Sequence, residues 1–281
     1  MWKWFHMLGS PPHLYRIAGA CAPWFGWAAA VFIGAGLYGG LVLAPPDEEM
    51  GEGFRIIYVH VPSAWMSLFA YTYMAILAAI GLIWRLKLAH AVASACAVLG
   101  ASFTFLALVT GAIWGKPMWG AWWVWDARLT SELLLLFLFL GYLALRQGFD
   151  DVRQADRASA VLAIVGVINV PIIHYSVEWW RTLHQPATVI TNDGPRIASS
   201  MLVPLLLMVL GFTLFFAAVV CMRVRTEILR RERQKAWVRA LVLGDDDEQT
   251  RPGAERNLGD AAPSNATVGA ASGPSEAPGA G

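Results

Sequence analysis

Residues 92–113 read VASACAVLGASFTFLALVTGAI, and residues 114–128, which follow directly, read WGKPMWGAWWVWDAR. The first stretch contains no charged residue and has about the length that a helix needs to cross a bilayer. The second stretch carries charges near its edges and holds five of the fourteen tryptophans of the chain. We therefore predict a membrane-spanning helix followed by an aromatic connection, which we call the Trp-rich segment.

Apolar runs of this kind recur along the chain, each bounded by charged or turn-forming residues. The six runs cover about residues 21–43, 62–84, 92–113, 130–145, 158–175 and 200–222. The 281 residues are 57% hydrophobic and only 15% charged, which is too apolar for an ordinary soluble domain. The sequence therefore predicts an all-α integral membrane protein with six transmembrane helices.

Lysine and arginine are distributed unevenly over the connections between the runs. One side is predicted to carry the basic tail from Arg223 together with Lys3, Arg16, Arg85, Lys87, Arg146, Arg153 and Arg157. The other side holds only Arg55, Lys116, Arg128, Arg181 and Arg196. By the positive-inside rule both termini are cytoplasmic, and the connections 44–61, 114–129 and 176–199 face outward. The formal net charge of +1 gives no indication of nucleic-acid binding.

Composition divides the chain into four predicted segments. A cytoplasmic N-terminal segment, residues 1–20, precedes the six-helix domain, residues 21–222. The basic residues 223–243 are predicted to extend the last helix, where they contact anionic lipid headgroups or a partner. Residues 244–281 consist mainly of small and acidic residues with few large apolar ones, and we expect this tail to be disordered.

The tryptophans of the Trp-rich segment have two interpretations. Single Trp residues commonly anchor a helix at the headgroup level, but five in one connection favour a large planar ligand. If the segment were helical, one face would hold Trp119, Trp122, Trp123 and Asp126. The neighbouring face would hold Trp125, Arg128 and Glu132.

Histidines near the predicted outer surface are candidate metal ligands. His60 lies where the first outward connection enters the second run, and His184 lies in the third outward connection. Two neutral imidazoles that reach one iron from opposite sides suit haem, because the porphyrin fills the four equatorial positions. His174 is the chief competing ligand, and a structural hydrogen bond is the alternative role for each histidine. The histidines predicted on the cytoplasmic side are His6, His13 and His90.

Haem would also need partners for its two propionates. The candidates are three outward arginines beside these motifs, Arg55, Arg128 and Arg181. Arg128 could instead form an ion pair with Glu132, one helical turn along. Asp126 could orient an indole N–H or an imidazole, or it could cap a helix that begins near Leu129.

Three motifs carry a family resemblance: WGAWWVWDARLT at 119–130, YVHVP at 58–62, and IIHYSVEWW at 172–180 with His184 beyond it. Together they resemble the bacterial haem exporter protein C family, over about residues 15–225. The Trp-rich motif is specific to haem-handling membrane proteins. The resemblance implies six helices and an outer haem site with His60 and His184 as axial ligands of the iron. The long Gly- and Ala-rich tail departs from the family pattern.

The resemblance also implies a function in cytochrome c maturation at the bacterial inner membrane. The chain would bind haem b non-covalently and transiently, within a complex that includes ABC-type transporter subunits. It would deliver haem to a membrane-anchored periplasmic chaperone, as a carrier and not as an enzyme. The aromatic platform for haem would comprise Trp114, Trp119, Trp122, Trp123 and Trp125.

Two other functions fit the sequence less well. A permease subunit for another solute would need polar residues along a path at mid-membrane, yet the runs have few ionisable residues at their centres. An enzyme could use Asp126, Glu132 or Glu178 as acid and base. However, no nucleophile and base at a suitable spacing, and no metal-ligand motif, supports that hypothesis.

Overall fold

The computed structural model describes residues 9–185, 189 and 194–243. Its α-helices are α1 (Pro11–Tyr38), α2 (Ile57–Ile83), α3 (Lys87–Trp119), α4 (Ala127–Gln147), α5 (Val152–Gly166), α6 (Asn169–Trp179), α7 (Ser199–Arg231) and α8 (Ala236–Leu243). A π-helical turn, Gly39–Leu43, extends α1, and a 3-10 turn, Glu52–Ile56, precedes α2. His6 and the predicted disordered tail, residues 244–281, lie outside the described residues.

The predicted number of membrane spans is confirmed for the part of the chain that the structure describes. Six helical stretches there are long and apolar enough to cross a membrane: Pro11–Leu43, Glu52–Ile83, Lys87–Trp119, Ala127–Gln147, Val152–Trp179 and Ser199–Arg231. The all-α transmembrane fold is therefore confirmed, and the orientation of the termini stays a prediction.

The helices are longer than the apolar runs that predicted them. For example, α3 begins at Lys87 whereas its apolar run begins at residue 92, and α7 continues past the end of its run at residue 222 to Arg231, within the predicted extension. An apolar run marks only the part of a helix that can lie in the hydrocarbon core of the bilayer. The helical backbone hydrogen bonds continue into the polar residues on either side of the run. A turn after Glu232 then separates α7 from α8, so the predicted extension 223–243 is helical in two pieces. α8 belongs to a second unit, which begins at Arg233.

The fifth span is interrupted between α5 and α6. Pro171 has no N–H to donate, and its ring crowds the carbonyl of Val167, four residues earlier. The chain turns at Val167 and Ile168, and α6 starts at Asn169. The Asn169 side-chain amide donates a hydrogen bond of 2.8 Å to the Ser131 carbonyl of α4. This bond fixes α6 against the beginning of α4.

Close packing in the first unit depends on small residues where helices meet. α1 packs along α7, and α2 packs along α3. A Cβ atom added at Gly36 would lie 2.7 Å from Met208 of α7, and one at Gly100 would lie 2.1 Å from the Phe139 ring of α4. Glycine therefore allows these helices to approach closely, as is usual in membrane bundles. The α2–α3 pair holds the first histidine of the site described below.

An ion-pair cluster joins three helices at the end of the bundle opposite the Trp-rich segment. Arg146 of α4 pairs with Asp156 of α5 and with Glu227 of α7. Arg231 of α7 also pairs with both carboxylates, at 2.8 Å and 2.7 Å. All four side chains are largely buried, so the loss of one partner would leave an uncompensated charge inside the bundle. The cluster fixes the ends of α4, α5 and α7 relative to one another.

Candidate functional site

His60 lies in the first turn of α2, and α3 determines its orientation. The Nδ1 atom lies 3.0 Å from the Thr110 hydroxyl oxygen. Because that hydroxyl donates its own hydrogen to the Leu106 carbonyl at 2.7 Å, its oxygen is left to accept from Nδ1–H. A Cβ atom at residue 111 would lie 3.0 Å from the His60 ring, so Gly111 leaves room for the imidazole. The Nε2 atom therefore carries the free lone pair that a metal needs.

His184 lies in the connection between α6 and α7, and its tautomer is fixed in the same way. Its Nδ1 atom lies 2.8 Å from the Gln185 carbonyl oxygen, which can only accept, so Nδ1 is the protonated nitrogen. Burial, and after it the positive charge of Arg128, lowers the pKa of His184 to about 4. The imidazole is therefore neutral at physiological pH, with its lone pair on Nε2.

The structure brings the rings of His60 and His184 together. Their centroids are 6.4 Å apart and their planes are inclined by 36°. A metal–nitrogen bond of about 2.0 Å on each side of one metal, with about 1 Å from each nitrogen to its ring centroid, gives a separation of about 6 Å. The pair thus has the spacing of two axial ligands. Among the described residues no group of three or more His, Cys, Asp or Glu side chains could hold a metal. The two histidines suit a metal whose other coordination positions are filled by a group that is not part of the protein.

The Trp-rich segment is not one continuous helix, so the face of three tryptophans and Asp126, expected only if the segment were helical, does not form. α3 continues through Trp114 to Trp119 and ends at Gly120, whose φ of 75° is in the left-handed region that favours glycine. Residues 120–126 are then irregular. Trp122 and Trp125 are 59% and 76% exposed, whereas Trp123 is partly buried. The segment therefore presents tryptophans in several directions beside the histidine pair.

One tryptophan contacts the histidine pair directly. The Trp114 ring meets the His60 ring edge to face, with centroids 5.7 Å apart and planes at 71°. The rings of Trp123 and Trp125 meet at 5.5 Å and 77°. The Nε1 atoms of Trp114 and Trp123 are enclosed without a hydrogen-bond partner in the described part of the chain. Buried donors rarely stay unpaired, so these atoms are available to a ligand.

Asp126 caps α4, as one of its two predicted roles required. Its Oδ1 accepts a hydrogen bond of 2.8 Å from the Leu129 backbone N–H, and α4 begins at Ala127, two residues before the predicted start. The other oxygen, Oδ2, is enclosed without a partner among the described residues. One oxygen is thus left to orient a neighbouring donor.

Arg128 does not form the ion pair with Glu132 that was the alternative to propionate binding. Its guanidinium donates to the Ile173 carbonyl of α6 at 3.2 Å, while Glu132 accepts from the Ser67 hydroxyl of α2 at 2.7 Å. The two side chains are drawn to different helices, although they share one face of α4. Arg128 remains close enough to His184 to affect its pKa, which places a positive charge beside the histidine pair.

The remaining predicted site residues and the competing ligand His174 differ in their contacts and exposure. Arg55 forms an ion pair with Glu52 and donates to the Gly40 carbonyl at 2.6 Å, so it is held by the chain itself. Arg181 is exposed just after α6. His174 is also exposed, and its ring contacts Tyr175 at 4.7 Å. None of the described contacts joins His174 to His60 or His184.

Two residues that shape the site were missed in the sequence. Thr110 and Gly111 lie fifty residues from His60 in the chain, within a span that was interpreted only as apolar. A threonine followed by glycine one turn before the Trp-rich segment was the available signal. The α2–α3 contact was needed to interpret that signal, because sequence spacing alone does not pair two helices.

The chain is similar to a family model and to proteins from several bacteria that share one name. A family model described as Heme exporter protein C matches residues 4–239. A protein named Heme exporter protein C from Escherichia coli strain K12 is 50% identical over 243 residues, which cover 86% of this chain and 98% of that protein. The protein of the same name from Haemophilus influenzae is 49% identical over 242 residues, with the same coverage. The one from Bradyrhizobium diazoefficiens is 46% identical over 224 residues, covering 80% of this chain and 85% of that protein.

Proposed function

Because the chain belongs to the Heme exporter protein C family, we propose that it holds haem between His60 and His184 at the outer face of the membrane. The haem is then delivered to a membrane-anchored periplasmic chaperone for cytochrome c maturation. The chain is a multi-pass protein of the bacterial inner membrane. The observation that carries the proposal is the 6.4 Å separation of the two imidazole rings.

The donor set supports haem as the cargo. Both imidazoles use Nδ1–H for a hydrogen bond inside the protein, so each offers Nε2 to a metal. Two nitrogens are too few for a structural zinc site, which needs four ligands. They are enough for an iron whose four equatorial positions a porphyrin already fills. The proposed cargo is haem b, bound without a covalent bond and only transiently.

The surrounding aromatic and charged groups support binding of the macrocycle. Trp114 borders His60, and the exposed rings of the Trp-rich segment supply apolar area for a porphyrin face. We assign Arg128 and Arg181 to the propionates, because Arg128 lies beside His184 and Arg181 is exposed on the same connection. Arg55 could serve only by giving up its contacts with Glu52 and Gly40.

We assign the chain a carrier role, with no catalytic step of its own. Its residues bind and orient the cargo, and neutral imidazoles allow release without a proton change at the protein. ABC-type transporter subunits and the chaperone are the proposed partners. The location of His184, on a connection and not on a helix, lets one axial ligand move when haem leaves.

Delivery can be tested in cells that lack their own family member but contain the chaperone. The full chain is expected to restore haem on the chaperone, measured by haem staining of the separated protein. The variant carrying both His60→Ala and His184→Ala should restore none, whereas the matched variant His174→Ala should restore most of it. Full loading by the double variant would contradict the proposed site.

A further inference from the structure

A groove between α3 and α7 lies apart from the histidine pair. It contains a cavity of about 270 Å³ that is lined mainly by apolar side chains. The lining residues are Val98, Leu99, Ser102, Phe103, Phe215, Val219 and Arg223. Phe103 is buried and packs against Phe215 with ring centroids 6.4 Å apart, while Phe215 and Ser102 are exposed. The groove therefore opens on the surface of the bundle, and the buried ring of Phe103 lines its inner side.

A second, more polar cavity adjoins the first one. It measures about 130 Å³ and is lined by Ser94, Ala95, Arg223, Thr226 and Glu227. Arg223 lines both cavities, so they form one groove that is apolar at one end and polar at the other. We call this the α3–α7 groove.

The groove extends along α7 over about the length of a lipid chain in one bilayer leaflet. At 1.5 Å per residue, Thr226 and Phe215 of α7 are separated by about 16 Å along the helix axis. That distance is about the thickness of one leaflet of a hydrocarbon core of about 30 Å. Arg223 directly follows the apolar run that ends at residue 222, so its guanidinium lies where hydrocarbon meets headgroups.

The polar end of the groove has a positive charge. Glu227 is neutralised by ion pairs with Arg146, Arg230 and Arg231. Counting Arg223, four arginines face the two carboxylates of Glu227 and Asp156, which leaves a net charge of +2. Arg223 is exposed and forms no ion pair within the described part of the chain. The charge is therefore complementary to an anion that sits above an apolar slot.

We propose that the α3–α7 groove binds one anionic phospholipid. An acyl chain lies along Val98, Phe103 and Val219, and the phosphate pairs with Arg223. The hydroxyls of Ser94 and Thr226 line the same end. That of Ser94 donates to the phosphate or glycerol oxygens, whereas that of Thr226 donates to the Met222 carbonyl. The bound lipid fills the gap between two helices that otherwise leave a cavity, and this function is separate from haem binding.

Native mass spectrometry of the full-length protein in detergent tests the site directly. Purified protein is mixed with equal amounts of dioleoyl phosphatidylglycerol and dioleoyl phosphatidylcholine, which share their chains and differ in net charge. We expect the anionic lipid to be retained about five-fold more than the zwitterionic one, the preference that one arginine near the headgroups provides. Arg223→Gln should abolish that preference.

Three further arms make the test specific. Ser102→Trp, which fills the groove without changing charge, should reduce retention of both lipids, and it keeps the test decisive if Arg223→Gln does not fold. The matched control Arg16→Ala removes an exposed arginine of α1 and should change nothing. Inorganic phosphate in excess should not displace the lipid. Equal retention by Arg223→Gln and the wild type, an equal loss in Arg16→Ala, or displacement by phosphate would each overturn the proposal.

Discussion

Thr110 fixes the tautomer of His60 and is the least obvious residue of the site. It accepts Nδ1–H of the imidazole while donating its own hydrogen to the Leu106 carbonyl of α3. Both histidines could be chosen as candidates from the sequence, because each lies in or next to a connection that is predicted to face outward and beside an aromatic motif. The threonine could not, since it contacts His60 only after α2 packs on α3.

Replacing Thr110 with valine tests whether its hydrogen bond to His60 supports ligation. Valine keeps the shape of threonine but cannot accept Nδ1–H, so the affinity for haem is expected to fall about 10–100-fold. Thr110→Ser should retain most of the affinity because the acceptor remains. Titration of the purified variants with haem, followed by absorption, measures the change.

The matched control for this change is Thr104→Val. Thr104 is also buried in α3 and donates to the Gly100 carbonyl at 2.8 Å, but none of its described contacts involves a site residue. The affinity of the Thr104→Val variant for haem should match that of the wild type. If Thr110→Val bound haem as tightly as Thr104→Val, the hydrogen bond would have no part in ligation.

Among the structural elements, the position of the Trp-rich segment could be predicted from the sequence, but its conformation could not. Its position between two spans was predictable, because charge and Trp content change sharply at Trp114. The conformation was not, because the sequence left open whether the segment is helical, and the φ of 75° at Gly120 ends α3. The capping role of Asp126 could be predicted from its residue type. The partner of Arg128 could not, because its guanidinium donates to a carbonyl of α6 and does not form an ion pair with Glu132.

The tryptophans can be separated from the axial ligands by using metal-free protoporphyrin. Stacking on one face contributes about 0.5–1.5 kcal/mol beyond area burial, so Trp122→Ala or Trp123→Ala alone should weaken porphyrin binding only several-fold. Combined alanine replacement of Trp119, Trp122 and Trp123 should remove most of the binding. Fluorescence titration of each purified variant with the porphyrin measures the affinity.

The control for this series uses two tryptophans far from the site. Trp24 and Trp27 are exposed on α1. Their combined replacement by alanine removes exposed tryptophan surface but leaves the Trp-rich segment unchanged. Porphyrin affinity should be unchanged in that variant. Full affinity in the Trp119, Trp122 and Trp123 variant would mean that the cluster serves only as a membrane anchor.

For the whole molecule, the number of spans was predictable and their ends were not. Six apolar runs gave six spanning helices, because each run must satisfy its backbone hydrogen bonds inside the bilayer. The helix ends depend on local features that apolar length does not contain, such as Pro171 in the fifth span and the turn at Glu232 that ends α7 within the predicted extension.

The uneven distribution of lysine and arginine predicts the orientation of the protein in the membrane. A reporter that is active only in the periplasm should work when fused after residue 120 or 190 and fail after residue 88, 150 or 240. The reversed pattern would place both histidines in the cytoplasm. Delivery of haem to a periplasmic chaperone from this site would then be impossible.

Absorption and electron paramagnetic resonance spectra of the purified full-length protein with ferric haem test the histidine pair most directly. Two axial imidazoles predict a low-spin iron in the wild type and in His174→Ala. His60→Ala and His184→Ala should each lose that signal, and added imidazole should restore part of it by filling the vacated axial position. Loss of the low-spin signal in His174→Ala, with its retention in His184→Ala, would contradict the assignment of the two ligands.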